Sequence, residues 1–270
     1  MSGLSIVRPI NGIMGFLSTY ISAFIAIGYA MRFHLLAVTL AAISVFLVTS
    51  GGNIINDIVD IDTDRLNHPD RPLVTGKMTV KTARILASLF FIVPVIISFF
   101  ISYVAMIVVI AAILLLIVYE VSLKRRGLSG NFVISLLIGA IFVFGGVAVN
   151  SYYRMIFLFI LAFFSNMSRE IIKDVQDVGG DKDRLTFPKV HGVKNSLRLS
   201  NVFIAILVIC SFIPYFLKIL SLYYFIIVIA ADAIFILSGV LSARNAGRGQ
   251  QVSKYAMIIG MVSFLAGAFK

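Results

Sequence analysis

Long apolar runs along the chain are separated by short stretches rich in charge, Gly, Pro and Asn. The runs recur about every 20 residues, the length at which an α-helix crosses a hydrocarbon core of about 30 Å. Read between the polar breaks, this pattern predicts nine membrane helices over 10–30, 34–59, 80–101, 103–121, 130–149, 152–175, 197–216, 220–243 and 252–269. The expected fold is all-α and polytopic, a single transmembrane domain over 1–270 without soluble or low-complexity regions. The first apolar run continues as a full span and lacks a small-residue cleavage site, so no cleavable secretory signal is expected at Met1.

Composition supports this reading. Hydrophobic residues make up 60% of the chain and charged ones 13%, with a mean hydropathy of +1.04. A soluble domain of that make-up would expose large apolar patches. The single cysteine, Cys210, lies in an apolar run and can form no internal disulfide, so nothing points to redox chemistry.

Nine spans put the amino terminus and the loops after spans two, four, six and eight on one side. All 23 basic residues except Arg32, Arg154, Lys218 and Lys270 fall on that side. The asymmetry predicts a multi-pass protein of the cell membrane with this face, amino terminus included, in the cytoplasm. The net charge of +11 is spread over short loops that also carry acids. It points to anionic lipid headgroups and phosphate-bearing substrates rather than nucleic acid, and no segment calls for an obligatory protein partner.

The acidic residues are the most informative. Ten of the twelve occupy two windows, Asp57, Asp60, Asp62, Asp64 and Asp70, then Glu170, Asp174, Asp177, Asp181 and Asp183; only Glu120 and Asp232 lie elsewhere. Each window begins at the polar end of a span, where carboxylates are costly unless they bind something. Asn53, Asp57, Asp60 and Asp64 stand at i, i+4, i+7 and i+11, and Glu170, Asp174, Asp177 and Asp181 repeat that spacing 117 residues later. At about 100° per residue each set shares one helical face for as long as the helix continues. Equivalent faces four spans apart suggest an internal four-helix pseudo-repeat. Carboxylates on one face repel one another unless cations neutralise them, and an oxygen-only set without His or Cys selects a hard ion such as Mg²⁺. The competing reading is a pair of solvated helix ends salt-bridged to neighbouring Arg and Lys.

The stretch from Gly51 to Met78, GGNIINDIVDIDTDRLNHPDRPLVTGKM, resembles the first signature of the UbiA-type intramembrane prenyltransferases, NDxxDxxxD followed by a basic, Pro-containing loop. The stretch from Ser165 to Gly192 is similar to the second, DxxxD at Asp177 and Asp181. Arg8-Pro9, Asn11, Tyr119 and Lys124 extend the resemblance over the whole chain. It implies nine helices around a central cavity that opens laterally to lipid, capped by loops over two Mg²⁺-binding motifs. Within the family, SREIIKDVQDVGGD with the later Phe187-Pro188 is most similar to the archaeal branch that transfers a geranylgeranyl group from its diphosphate to geranylgeranylglyceryl phosphate, making the second ether bond of a membrane lipid. Other branches prenylate aromatic acids or quinone precursors and share the Asp motifs. The extra acids Asp62 and Asp183 depart from the shortest form of the pattern and leave individual metal ligands open.

On that resemblance the metal shell is assigned to Asn56, Asp60, Asp64, Asp177 and Asp181, with Asp57 and Asp174 as direct or supporting partners. Asn53 shares the acidic face. Lys77, Lys124 and Arg71, then Arg65 and Lys173, are the expected phosphate-holding cations. For each of these, a role in topology or a salt bridge competes. Tyr119 is a candidate to contact diphosphate or shield a carbocation, or else an interfacial anchor. No His falls where a base is needed, and Asp232, midway along span eight, is either a buried hydrogen-bonding group or part of the cavity wall. Ion-coupled transport is the rival from another class, although transport sites lie near the midplane and these acids gather at one face. A relative of soluble isoprenyl synthases, which also use paired Asp motifs, is disfavoured by the spans.

Overall fold

The computed structural model describes residues 3–179 and 185–269. Among the described residues all regular structure is helical, and nine α-helices run for 19 to 25 residues. They are α1 (Pro9–Ile27), α2 (Leu35–Val59), α3 (Val80–Phe99), α4 (Tyr103–Val121), α5 (Leu128–Val147), α6 (Met155–Asp177), α7 (Val193–Ser211), α8 (Leu222–Ser242) and α9 (Ala246–Ala268). By length and apolar composition eight stretches qualify as membrane spans, the first being the whole of Pro9–Val59. That stretch is two helices: Gly28, at φ 60°, ends α1, a 3₁₀ segment Gly28–His34 follows, and α2 packs back on α1.

Local chemistry sets the ends. The hydroxyls of Thr79 and Ser102 accept hydrogen bonds from the backbone of Thr82 (3.1 Å) and Ala105 (3.0 Å), capping α3 and α4. Asn245 caps α9 through the Arg248 amide at 2.9 Å, so α9 begins six residues before the expected 252. Its polar first turns, Gly-Arg-Gly-Gln-Gln, hide the start from a hydropathy reading. Helix α7 likewise begins at Val193 rather than 197, because Lys194, Asn195 and Arg198 decorate its opening turns.

Consecutive helices pack against each other throughout and α9 returns to α1, closing a ring in chain order; α1 also meets α5, and α9 meets α6. Small residues permit these approaches. A Cβ on Gly145 of α5 would stand 2.6 Å from the Thr19 carbonyl of α1, so that contact tolerates no side chain. Interior serines such as Ser44 and Ser135 donate to carbonyls one turn back, while Ile92, Ile96, Ile107, Leu114 and Ile226 lie exposed. Apolar surface outside and serines bonded back to their own helix within match a hydrocarbon solvent.

Candidate active site

The acid-bearing face of α2 survives the end of the helix. Asp60 sits at the C-cap with its amide bonded to the Asn56 carbonyl at 2.9 Å, and the Asp64 amide bonds the Asp60 carbonyl at 2.8 Å. The short helix Ile61–Asn67 thus continues the i→i−4 pattern, and Asp57 and Asp64 stay close enough for Arg71 to pair with both, at 3.1 Å to Asp57. Both carboxylates are buried, at 3% and 4% exposure. Buried charges persist only where paired, and here the pairing is charge-assisted.

Other elements supply the remaining partners. Arg8 precedes Pro9 at the start of α1 and takes the left-handed conformation, φ 46°. A following proline disfavours the right-handed helical region, and a non-glycine residue in the left-handed region is strained. From there its guanidinium donates to Asp57 at 2.5 Å and to the Asn56 side-chain Oδ1 at 3.0 Å. The Asn56 side-chain Nδ2 donates in turn to buried Glu120, at 3.0 Å. Lys124, just past the end of α4, donates to Asp60 at 2.6 Å and to Glu120 at 3.0 Å. Asn53 ties this end of α2 to the amino-terminal segment through the Val7 carbonyl, 3.2 Å.

The second set meets the same α4–α5 turn from the other side. Asn131, in the first turns of α5, donates to Asp174 at 2.8 Å. The Leu185 amide, beyond α6, bonds the Arg125 carbonyl at 3.1 Å. Gly130 permits the turn to fold this closely, since a Cβ there would stand 2.8 Å from the Leu123 carbonyl. Buried Glu170 accepts from Arg169 (2.7 Å) and Lys173 (3.4 Å), and it feels the charge of Lys124. One turn therefore brings together the ends of α2 and α6.

Burial pushes the Asp64 carboxyl above its ordinary range, aided by the charges of Asp57 and Asp60 and opposed by Arg71. Among the described residues no three of His, Cys, Asp and Glu converge on a metal-sized space; the carboxylates stand on Arg8, Arg71 and Lys124 instead. The donor chemistry nevertheless fits Mg²⁺: the gathered side chains offer carboxylate and amide oxygens alone, and His68 is exposed.

The family profile of UbiA prenyltransferases matches residues 16–265. The chain belongs to the UbiA prenyltransferase family. Among its relatives are proteins named digeranylgeranylglyceryl phosphate synthase from Methanosphaera stadtmanae, 37% identical over 98% of both chains, and from Methanocaldococcus jannaschii, 35% identical over 98% of this chain and 93% of that one. A solved structure described for a digeranylgeranylglyceryl phosphate synthase in membranes superposes with TM-score 0.83 at 32% identity, covering 98% of this chain and 97% of the other. A UbiA homologue from Archaeoglobus fulgidus bound to GPP and Mg²⁺ shares the fold, with TM-score 0.70 at 18% identity over 99% and 98%.

Of the UbiA motif residues, Asn53, Asn56, Asp57, Asp60, Asp64, Arg71 and Lys124 gather at the end of α2. Tyr119 is buried beside Glu120. Asp174 and half-buried Asp177 close α6, and Lys173 pairs with Glu170; Asp181 lies outside the described residues. Arg65 stands apart, exposed and paired with Asp62 at 3.3 Å, and Lys77 is exposed. Arg8, Glu120 and Asn131 were not among the expected site residues. Their signal was faint: a lone Arg-Pro, an isolated acid four residues before Lys124, and an Asn opening an apolar run. Asp232 accepts from Ser211 at 2.7 Å within the bundle and takes no part in this cluster.

Proposed function

We propose that the protein transfers a geranylgeranyl group from geranylgeranyl diphosphate to geranylgeranylglyceryl phosphate, forming the second ether bond of an archaeal membrane lipid. The reading rests on one observation, the α4–α5 turn that pairs Lys124 with Asp60 and Asn131 with Asp174. Full-length relatives carrying the synthase name support the acceptor.

Mg²⁺, held by Asn56, Asp60, Asp64, Asp177 and Asp181, would neutralise the diphosphate and so ease its departure. Asp57 and Asp174 support that shell. Arg71 and Lys124 stand at the carboxylates ready to turn to phosphate oxygens, with Lys77 completing the basic loop. As the allylic carbon–oxygen bond breaks, diphosphate leaves with the electron pair, and the role assigned to the Tyr119 ring is to shield the resulting cation. The acceptor hydroxyl oxygen then bonds that carbon and releases its proton. We place this end of the bundle at the cytoplasmic face, where the basic residues gather.

The test is incubation of purified protein with labelled geranylgeranyl diphosphate, Mg²⁺ and a panel of acceptors. Lipid product with geranylgeranylglyceryl phosphate supports the reading; product with an aromatic acid alone overturns it.

A further inference from the structure

Beside the second acid set lies a cation cluster that the donor chemistry leaves unused. Arg169 and Lys173 occupy successive turns of α6, and α9 packs antiparallel against that helix. The register is fixed near the start of α9, where a Cβ on Gly247 would stand 3.5 Å from the Gln176 side chain. Two turns further along α9 and two turns back along α6, Lys254 comes opposite Arg169. It lies within electrostatic reach of Arg169, Lys173 and Glu170. Arg169 and Lys173 share the Glu170 carboxylate, whereas Lys254 makes no hydrogen bond or ion pair among the described residues. Three cations thus surround one acid.

Arg169 lies eight residues before the end of α6 and Lys254 eight residues after the start of α9, roughly 12 Å along each axis. Lys254 is exposed, so its ammonium is open to an anionic ligand.

We propose that Arg169, Lys173 and Lys254 form the subsite for the phosphate monoester of the acceptor lipid. The inference rests on the transfer reaction proposed above and adds where its second substrate is held. Arg71 and Lys124 serve the first acid set, so a separate phosphate needs separate cations. In a glycerol phosphate the reactive hydroxyl and the phosphate share one small frame. Lys173 feels the charges of Asp174 and Asp177, so a phosphate anchored here brings the hydroxyl to the second acid set, where the prenyl carbon is released. Arg supplies a forked donor and the two Lys point charges, a combination suited to a dianionic phosphate.

The experiment compares wild type, Lys254→Gln and Lys254→Arg, each as the full chain in nanodiscs of neutral lipid and, in parallel, in nanodiscs containing anionic lipid. KM is measured for geranylgeranyl diphosphate, for geranylgeranylglyceryl phosphate and for the same acceptor without its phosphate. Lys254→Gln should raise the KM for the phosphorylated acceptor about tenfold, the effect of losing one charge-assisted contact. The KM for the diphosphate should stay within about twofold of wild type, as should that for the dephosphorylated acceptor, and Lys254→Arg should recover most of the loss. Equal losses with both acceptors, an unchanged acceptor KM, or an effect seen only in bilayers containing anionic lipid would overturn the subsite; the last outcome would make it a headgroup contact. Wild-type protein that forms no product with the phosphorylated acceptor would defeat the transfer reaction itself, and the subsite with it.

Discussion

The Lys124 ammonium sits 2.6 Å from Asp60, 64 residues earlier in the chain, and 3.0 Å from Glu120, joining acids on two helices. Its side chain is 9% exposed, so the pairing takes place largely out of water. Asn131, a few residues further on, binds Asp174, and the motif at the end of α6 meets the motif at the end of α2 across one short turn.

Replacing Lys124 by Met leaves Asp60 and buried Glu120 without their cation. The loss of one partner of a buried pair costs about 3 kcal/mol or more. A lower midpoint in thermal unfolding, together with at least about a hundredfold fall in turnover, is the expected outcome. Wild-type stability in this variant would show that the pairs carry no weight.

Gly130→Ala tests the turn without touching any charged group. The added Cβ would stand 2.8 Å from the Leu123 carbonyl, which cannot yield as a flexible side chain would. The displaced turn should cost about 1–3 kcal/mol and misplace Lys124 and Asn131. We expect turnover to fall by tenfold or more, roughly the same free-energy range. A fully active variant would show that the turn need not be this close.

Arg65→Ala should change little. Its partner Asp62 is 86% exposed, and exposed pairs contribute about 0–1 kcal/mol. Denaturation midpoint and turnover close to wild type are expected; loss of turnover would return Arg65 to the site.

The raised pKa of Asp64 has two consequences with opposite sense. Burial favours the neutral acid, so the metal-free protein is most stable below the unfolded pKa and loses that contribution as pH rises through the folded one. Ion binding needs the carboxylate, so activity should fall as pH drops through the same folded value. Arg71 lowers that value. In Arg71→Ala the acid limb of the pH–rate profile should therefore move to higher pH, and an unmoved limb would detach Asp64 from the reaction.

Much of this site was legible in the chain. The acid spacing of the first window survived because backbone hydrogen bonds carry the helical pattern through Asp60 into Ile61–Asn67; in the second it is followed as far as Asp177, since Asp181 lies outside the described residues. The parity of the spans followed from the basic residues. Arg8, Glu120 and Asn131 were hidden for a physical reason: each acts on a residue more than 40 positions away, and nothing in local periodicity marks a tertiary hydrogen bond. The starts of α7 and α9 were hidden by polar first turns.

The joint action of the two acid sets is tested most directly by turnover in Asp60→Asn, Asp177→Asn and the double variant, with Mg²⁺ and labelled geranylgeranyl diphosphate. Groups that serve as a unit lose function non-additively. Each single variant should fall by about a thousandfold, and the double variant should fall no further. Near wild-type turnover in either single variant, or losses that multiply in the double, would contradict a shared site.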